Sequence, residues 1–86
     1  MLVSMRELLV RAKDGKYAVA AANVFTGRTV EACFAAASEM QAPVIIACTP
    51  YVQMEELAMA VRLYEKKYPE VTAALHLDHG KEYEDV

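Results

Sequence analysis

Toward its carboxyl end the chain reads His76-Leu77-Asp78-His79-Gly80, directly after the short apolar run Ala73-Ala74-Leu75. The run is too brief and too well punctuated for a helix, so it reads as a buried parallel strand that delivers polar groups where it stops. Alternate side chains of a strand face opposite ways, which puts His76 and Asp78 on one face. Beyond Leu77 the parity loosens and Gly80 permits a sharp turn, so Asp78 and His79 converge on one pocket. An imidazole there can hold a metal, and a carboxylate beside it can carry a proton. The carboxyl ends of strands are also where open α/β sheets and (β/α)8 barrels keep their active sites. His76, one step back, is expected to be a structural, hydrogen-bonded histidine pointing with the strand interior. Taken by themselves, Asp78, His79 and Gly80 also fit a surface turn.

The elements that must position this stretch can be read in order. Ser4-Met5-Arg6-Glu7 has the form of a capping box, and Leu8, Leu9 and Ala12 give the apolar stripe of a helix over about Met5 to Lys13, stopped at Gly15. Tyr17 to Val24 reads as a strand from its bracketing rather than its propensity, because alanine prefers helix. Val30, Cys33, Phe34, Ala37 and Met40 recur at helical spacing across Thr29 to Gln41. Pro43 to Cys48 is a β-branched run suited to a parallel strand buried on both faces. Thr49 and Pro50 suit the start of the next helix, about Val52 to Lys67, with Leu57, Ala58, Val61, Tyr64 and Tyr68 on its apolar stripe. Tyr51, Met54 and Met59 read as packing residues of the same region. Pro69 ends that helix, and Val71 to Leu77 forms the third strand. The order is therefore one helix and then β-α-β-α-β, with three parallel strands adjacent as 1-2-3. Asn23, Thr49 and Asp78 fall 26 and 29 residues apart, one per βα unit, and are expected on one rim.

Composition narrows the function further. The 86 residues, 56% hydrophobic with three glycines and three prolines, fit one folded unit. Nine basic against twelve acidic residues give a net charge of −3, which argues against a nucleic-acid surface. No apolar run approaches the roughly 18 residues of a membrane span, and the start lacks a basic leader followed by a long apolar stretch. A cytoplasmic protein is the expectation. Cys33 and Cys48, without a CxxC pair, read as buried reduced thiols.

Taken together, Leu2-Val3-Ser4 before a helix ending in Gly15, Tyr17-Ala18-Val19 leading to Asn23-Val24, Ala42-Pro43-Val44-Ile45, and His76-Leu77-Asp78-His79-Gly80 resemble the amino-terminal third of the class II fructose-bisphosphate and tagatose-bisphosphate aldolases. The H-x-D-H motif is the most specific part, and the resemblance spans nearly the whole chain. It implies the leading β-α-β-α-β part of a (β/α)8 TIM barrel, an α/β fold, in a zinc-dependent lyase. Such an enzyme reversibly cleaves a phosphorylated ketose such as fructose 1,6-bisphosphate into dihydroxyacetone phosphate and glyceraldehyde 3-phosphate. Matched residue by residue, His79 takes the place of the first Zn²⁺ ligand and Asp78 that of the acid/base aspartate. Asn23 matches an asparagine on the pocket rim, and Thr49 stands where the family has a serine near substrate. Pro50-Tyr51-Val52-Gln53 departs from the family's small-residue loop at that point. A full barrel needs about 250 residues. Residues 1–86 are thus expected to form the amino-terminal part of a single barrel domain, incomplete at the carboxyl end, assembled as a homo-oligomer and inactive alone. The rival reading is a non-catalytic remnant acting through self-association or a partner.

Overall fold

The computed structural model describes residues 1–49 and 54–77. Six elements follow in order: α1 (Met5–Gly15), β1 (Ala20–Asn23), α2 (Gly27–Met40), β2 (Val44–Cys48), α3 (Met54–Lys67) and β3 (Ala73–Leu77). The three strands form one sheet in the order β1-β2-β3, and both pairings are parallel. This is the β-α-β-α-β unit that the alternation of periodicities required.

The sheet separates two apolar layers. On one side, Val30, Phe34 and Ala37 of α2 and Leu57 and Val61 of α3 pack with Val44, Ile46 and Cys48 of β2 and Ala73 of β3. On the other side α1 lays Leu8 against Ile45 and Ala74, with Val3, Met5 and Val19 around them. All five residues of β2 are buried, as befits a central strand covered on both faces. Tyr64 and Tyr68 pack half-buried against the larger layer, while Met59 on α3 and Met40 on α2 stand in solvent. Leu9 is likewise exposed, so the buried stripe of α1 is Leu8 and Ala12. These three were expected in apolar stripes. Each lies to one side of the arc that meets the sheet, and a helix buries only that arc.

The helix ends differ from the sequence reading in ways that have local causes. Ser4 caps α1 by accepting a hydrogen bond from the Glu7 amide, but the Glu7 carboxylate turns away to Arg11 at 2.7 Å, leaving the box half made. The reciprocal box belongs to α2 instead, where the Thr26 hydroxyl accepts from the Thr29 amide and the Thr29 hydroxyl accepts from the Thr26 amide. Threonine at the third helical position does here what glutamate does in the usual motif. Gly15 is the last residue of α1, and the left-handed position falls on Lys16 at φ 57°. Gly15 instead lies against a side chain: a Cβ there would sit 2.6 Å from the Tyr17 ring, which is 47% exposed and would have to turn aside. The first strand is shorter than its bracketing suggested, Ala20–Asn23, and Val24 beyond it is buried and donates its amide to the Ala47 carbonyl at 2.9 Å.

Residues 1–3 add a small feature to the far edge of β3. Leu2 bridges Ala73 in parallel, the Val3 amide donates to the Ala73 carbonyl at 2.8 Å, and the Ala73 amide donates to the Met1 carbonyl at 3.0 Å. This holds the start of α1 under the sheet, and with it Leu8.

Candidate functional site

Parallel pairing without a register shift brings the strand ends to one rim. Asn23 closes β1 and is exposed there, and Thr49 follows the last residue of β2 and is half-buried. Leu77 closes β3 at the same level, opposite Cys48. Asp78, His79 and Gly80 lie outside the described residues, as do Pro50-Tyr51-Val52-Gln53 and the acidic tail after Gly80. The rim on which Asn23 and Thr49 stand is therefore the one at which Leu77 ends β3.

His76 does not behave as a structural histidine. Its side chain is exposed, and among the described residues nothing hydrogen-bonds its imidazole; its backbone belongs to the β2–β3 ladder, and its carbonyl also accepts from the Cys48 thiol at 3.6 Å. It sits on the outermost strand of the sheet, where Ala47 is its neighbour on one side. Its parity is that of Ala74, so it stands on the α1 side of the sheet, one layer above the apolar contact of Leu8, Ile45 and Ala74. Asn23, on the same face of β1, carries no hydrogen bond from a described residue to its amide.

Burial pushes both Cys33 and Cys48 above the ordinary cysteine value, which keeps them protonated and unreactive at neutral pH. Neither forms a disulfide. At the opposite, amino-terminal end of the strands lies a cavity of about 360 Å³ lined by Leu8, Arg11, Tyr17, Ser38, Gln41 and Glu70 among others. Barrel chemistry belongs to the other end of the strands, and here Ser38 already occupies the Glu70 carboxylate with a hydrogen bond.

Zinc requires at least three protein donors in a catalytic site. Among the described residues no three His, Cys, Asp or Glu side chains come together in that way. The donor chemistry of the motif fits zinc, since a neutral imidazole such as that of His79 is an ordinary ligand, and His79 itself lies outside the described residues.

Comparison with known proteins decides the lineage. Residues 3–86 match the family model of fructose-bisphosphate aldolase class II. The chain belongs to this family. Among solved structures, the crystal structure of the YdjI aldolase from Escherichia coli K12 superposes with a TM-score of 0.84 at 27% sequence identity. That match covers 98% of this chain and 34% of the YdjI chain, so the class II chain described here spans about a third of the length of its structural relative. The parallel sheet, with α1 beneath it, is accordingly part of a TIM-barrel aldolase fold. No described helix is long and apolar enough to cross a membrane.

Proposed function

We propose that this chain carries the leading part of the active site of a zinc-dependent class II aldolase that reversibly cleaves a ketose 1,6-bisphosphate, fructose 1,6-bisphosphate being the representative substrate. The observation that supports the reading is the shared rim: Asn23 ends β1 and Thr49 follows β2 at the level where Leu77, the residue before Asp78 and His79 in the sequence, ends β3. His79 is assigned as one zinc ligand. The metal, when bound, supplies Lewis-acid polarisation of the ketose carbonyl. Asp78 takes the proton from the hydroxyl beside the breaking carbon–carbon bond and returns it in the condensation direction. Asn23 and Thr49 hold substrate hydroxyl or phosphate oxygens, Thr49 through its own hydroxyl. The site lies in a cytoplasmic, homo-oligomeric enzyme, with residues 1–86 as the first part of its barrel domain.

A second reading rests on a separate observation. Phe25, Met59, Leu63 and Leu75 are exposed on this small unit, which suits a non-catalytic remnant that works by association. The two readings separate in one assay: release of dihydroxyacetone phosphate from fructose 1,6-bisphosphate by the purified, zinc-supplemented full-length protein. Release that is abolished by chelation and restored by zinc supports the aldolase. Absence of release from both fructose and tagatose bisphosphates, in protein that remains folded, overturns it in favour of the remnant.

A further inference from the structure

The cavity of about 360 Å³ at the amino-terminal end of the strands takes its lining from α1, the turn after it, the end of α2 and the connection from α3 to β3. Its floor is apolar and buried: Leu8 belongs to the layer on the α1 side of the sheet, Ala37 and Val71 to the layer on the other. Two charged side chains stand at its exposed edge, Arg11 on α1 and Glu70 before β3. Among the described residues these two form no ion pair with each other. Arg11 pairs instead with Glu7, one turn back on α1, Nη2 to Oε1 at 2.7 Å, and Glu70 accepts through Oε1 from the Ser38 hydroxyl of α2. Each charge is thus steadied by its own scaffold. Each also keeps capacity to spare, since the guanidinium has N–H donors beyond the one that Glu7 takes, and the carboxylate has lone pairs beyond those taken by Ser38 and its own amide.

We infer that this cavity is a binding site for a small aliphatic α-amino acid, with its carboxylate on Arg11, its ammonium on Glu70 and its side chain on the floor of Leu8, Ala37 and Val71. The inference goes beyond the aldolase reading and does not depend on it. An anion by itself would meet Arg11 at the cost of facing Glu70, and a lone cation would face the reverse. A neutral apolar ligand would draw water off both charges and give neither a partner. A zwitterion meets both with charge-assisted hydrogen bonds, which are stronger than neutral ones. Tyr17, Gln41 and Thr72 add only neutral polar groups, so the charged pair alone sets the sign pattern that a ligand must match. Size points the same way, because ligand cavities run from roughly 300 to 1,000 Å³ and this one, at about 360 Å³, lies at the small end.

The test titrates the full-length protein by calorimetry with L-alanine, L-valine and L-leucine. Isocaproate, which is leucine without its ammonium, and isoamylamine, which is leucine without its carboxylate, serve as single-charge analogues. Leucine should bind, and each analogue should bind at least tenfold more weakly, the size of one lost charge-assisted hydrogen bond. Arg11→Gln and Glu70→Gln should each weaken leucine binding by tenfold or more. Glu70→Gln should at the same time leave isocaproate binding unchanged or tighter, because a repelling carboxylate has gone. Glu39→Gln removes an exposed carboxylate of α2 outside the cavity lining and should alter none of these affinities. Arg11, Glu39 and Glu70 are all exposed, so the variants keep the fold, which an unchanged urea midpoint verifies. Failure of all three amino acids to bind overturns the inference. So does an analogue that binds as tightly as leucine, because the site would then read a single charge. Leucine binding that is indifferent to Arg11→Gln or Glu70→Gln, or that falls equally with Glu39→Gln, overturns it as well, since the amino acid would then be held elsewhere or by the general field of the protein.

Discussion

Lys16 and Gln41 end α1 and α2 in the left-handed conformation, at φ 57° and 53°, where a side chain costs energy that glycine avoids. Replacing Gln41 with Gly should therefore stabilise the protein by about 0.5–1 kcal/mol, read as a higher urea midpoint with unchanged slope. Glu70 offers a pH-dependent counterpart. The Ser38 hydroxyl, then its own backbone amide and the amino-terminal charge, hold its carboxyl below the usual carboxylate value. A depressed folded-state pKa contributes stability above the unfolded value, and that contribution is lost as pH falls through the folded one. Ser38→Ala should accordingly narrow the difference between neutral and acidic denaturation midpoints, and an unchanged difference would show that the hydrogen bond does not bias the titration. At the proposed site, His79→Ala should lose zinc and activity together. Asp78→Ala should keep its zinc while cleavage slows by roughly 10² to 10⁴, the usual share of one acid/base group. Loss of zinc from Asp78→Ala would reverse those roles. These two residues stood out in the sequence because an H-x-D-H run after an apolar strand is chemically unusual, and both lie outside the described residues. His76 was misjudged because parity gives the face of a residue and not what covers it.

At the scale of elements, burial decides which substitutions matter. Phe34 is fully buried between α2, α3 and the sheet, and Phe34→Ala should destabilise by about 3–5 kcal/mol; Met59→Ser, at 72% exposure on α3, should change little. Comparable losses from the two, measured by urea denaturation, would mean that the Met59 face is covered in solution. The order of elements and the parallel pairing were readable from alternating periodicities, and β2 from its unbroken β-branched run. Helix starts were less so. Thr26 and Thr29 cap each other through hydroxyls, and a threonine pair spaced by three looks unremarkable beside the S-x-x-E of α1, whose Glu7 is drawn off by Arg11. Gly15 looked like a left-handed stop, yet its hydrogen leaves room for the Tyr17 ring. That contact was invisible in sequence because it depends on how the chain leaves the helix.

The whole unit has one well-covered strand and two outer ones. β2 is buried throughout, whereas β1 is mostly exposed and β3 turns from buried Ala73 and Ala74 to exposed Leu75 and His76. Residues 1–3 occupy the outer edge of β3 only around Ala73. A strand edge with an exposed apolar side chain is a template for a further strand, and charge on it is the usual deterrent. In a TIM barrel the neighbouring strands satisfy both edges. Produced alone, residues 1–86 should therefore associate with concentration, and sedimentation equilibrium should give a weight-average mass rising above the 9.5 kDa of the single chain. Leu75→Lys should shift that equilibrium toward monomer without loss of helical circular dichroism, since Leu75 is 45% exposed and contributes little to the core. A monomer at all concentrations would show that the edges are already protected. An associating parent whose behaviour Leu75→Lys leaves untouched would place the contact elsewhere, with β1 and its row of exposed alanines as the next edge to charge.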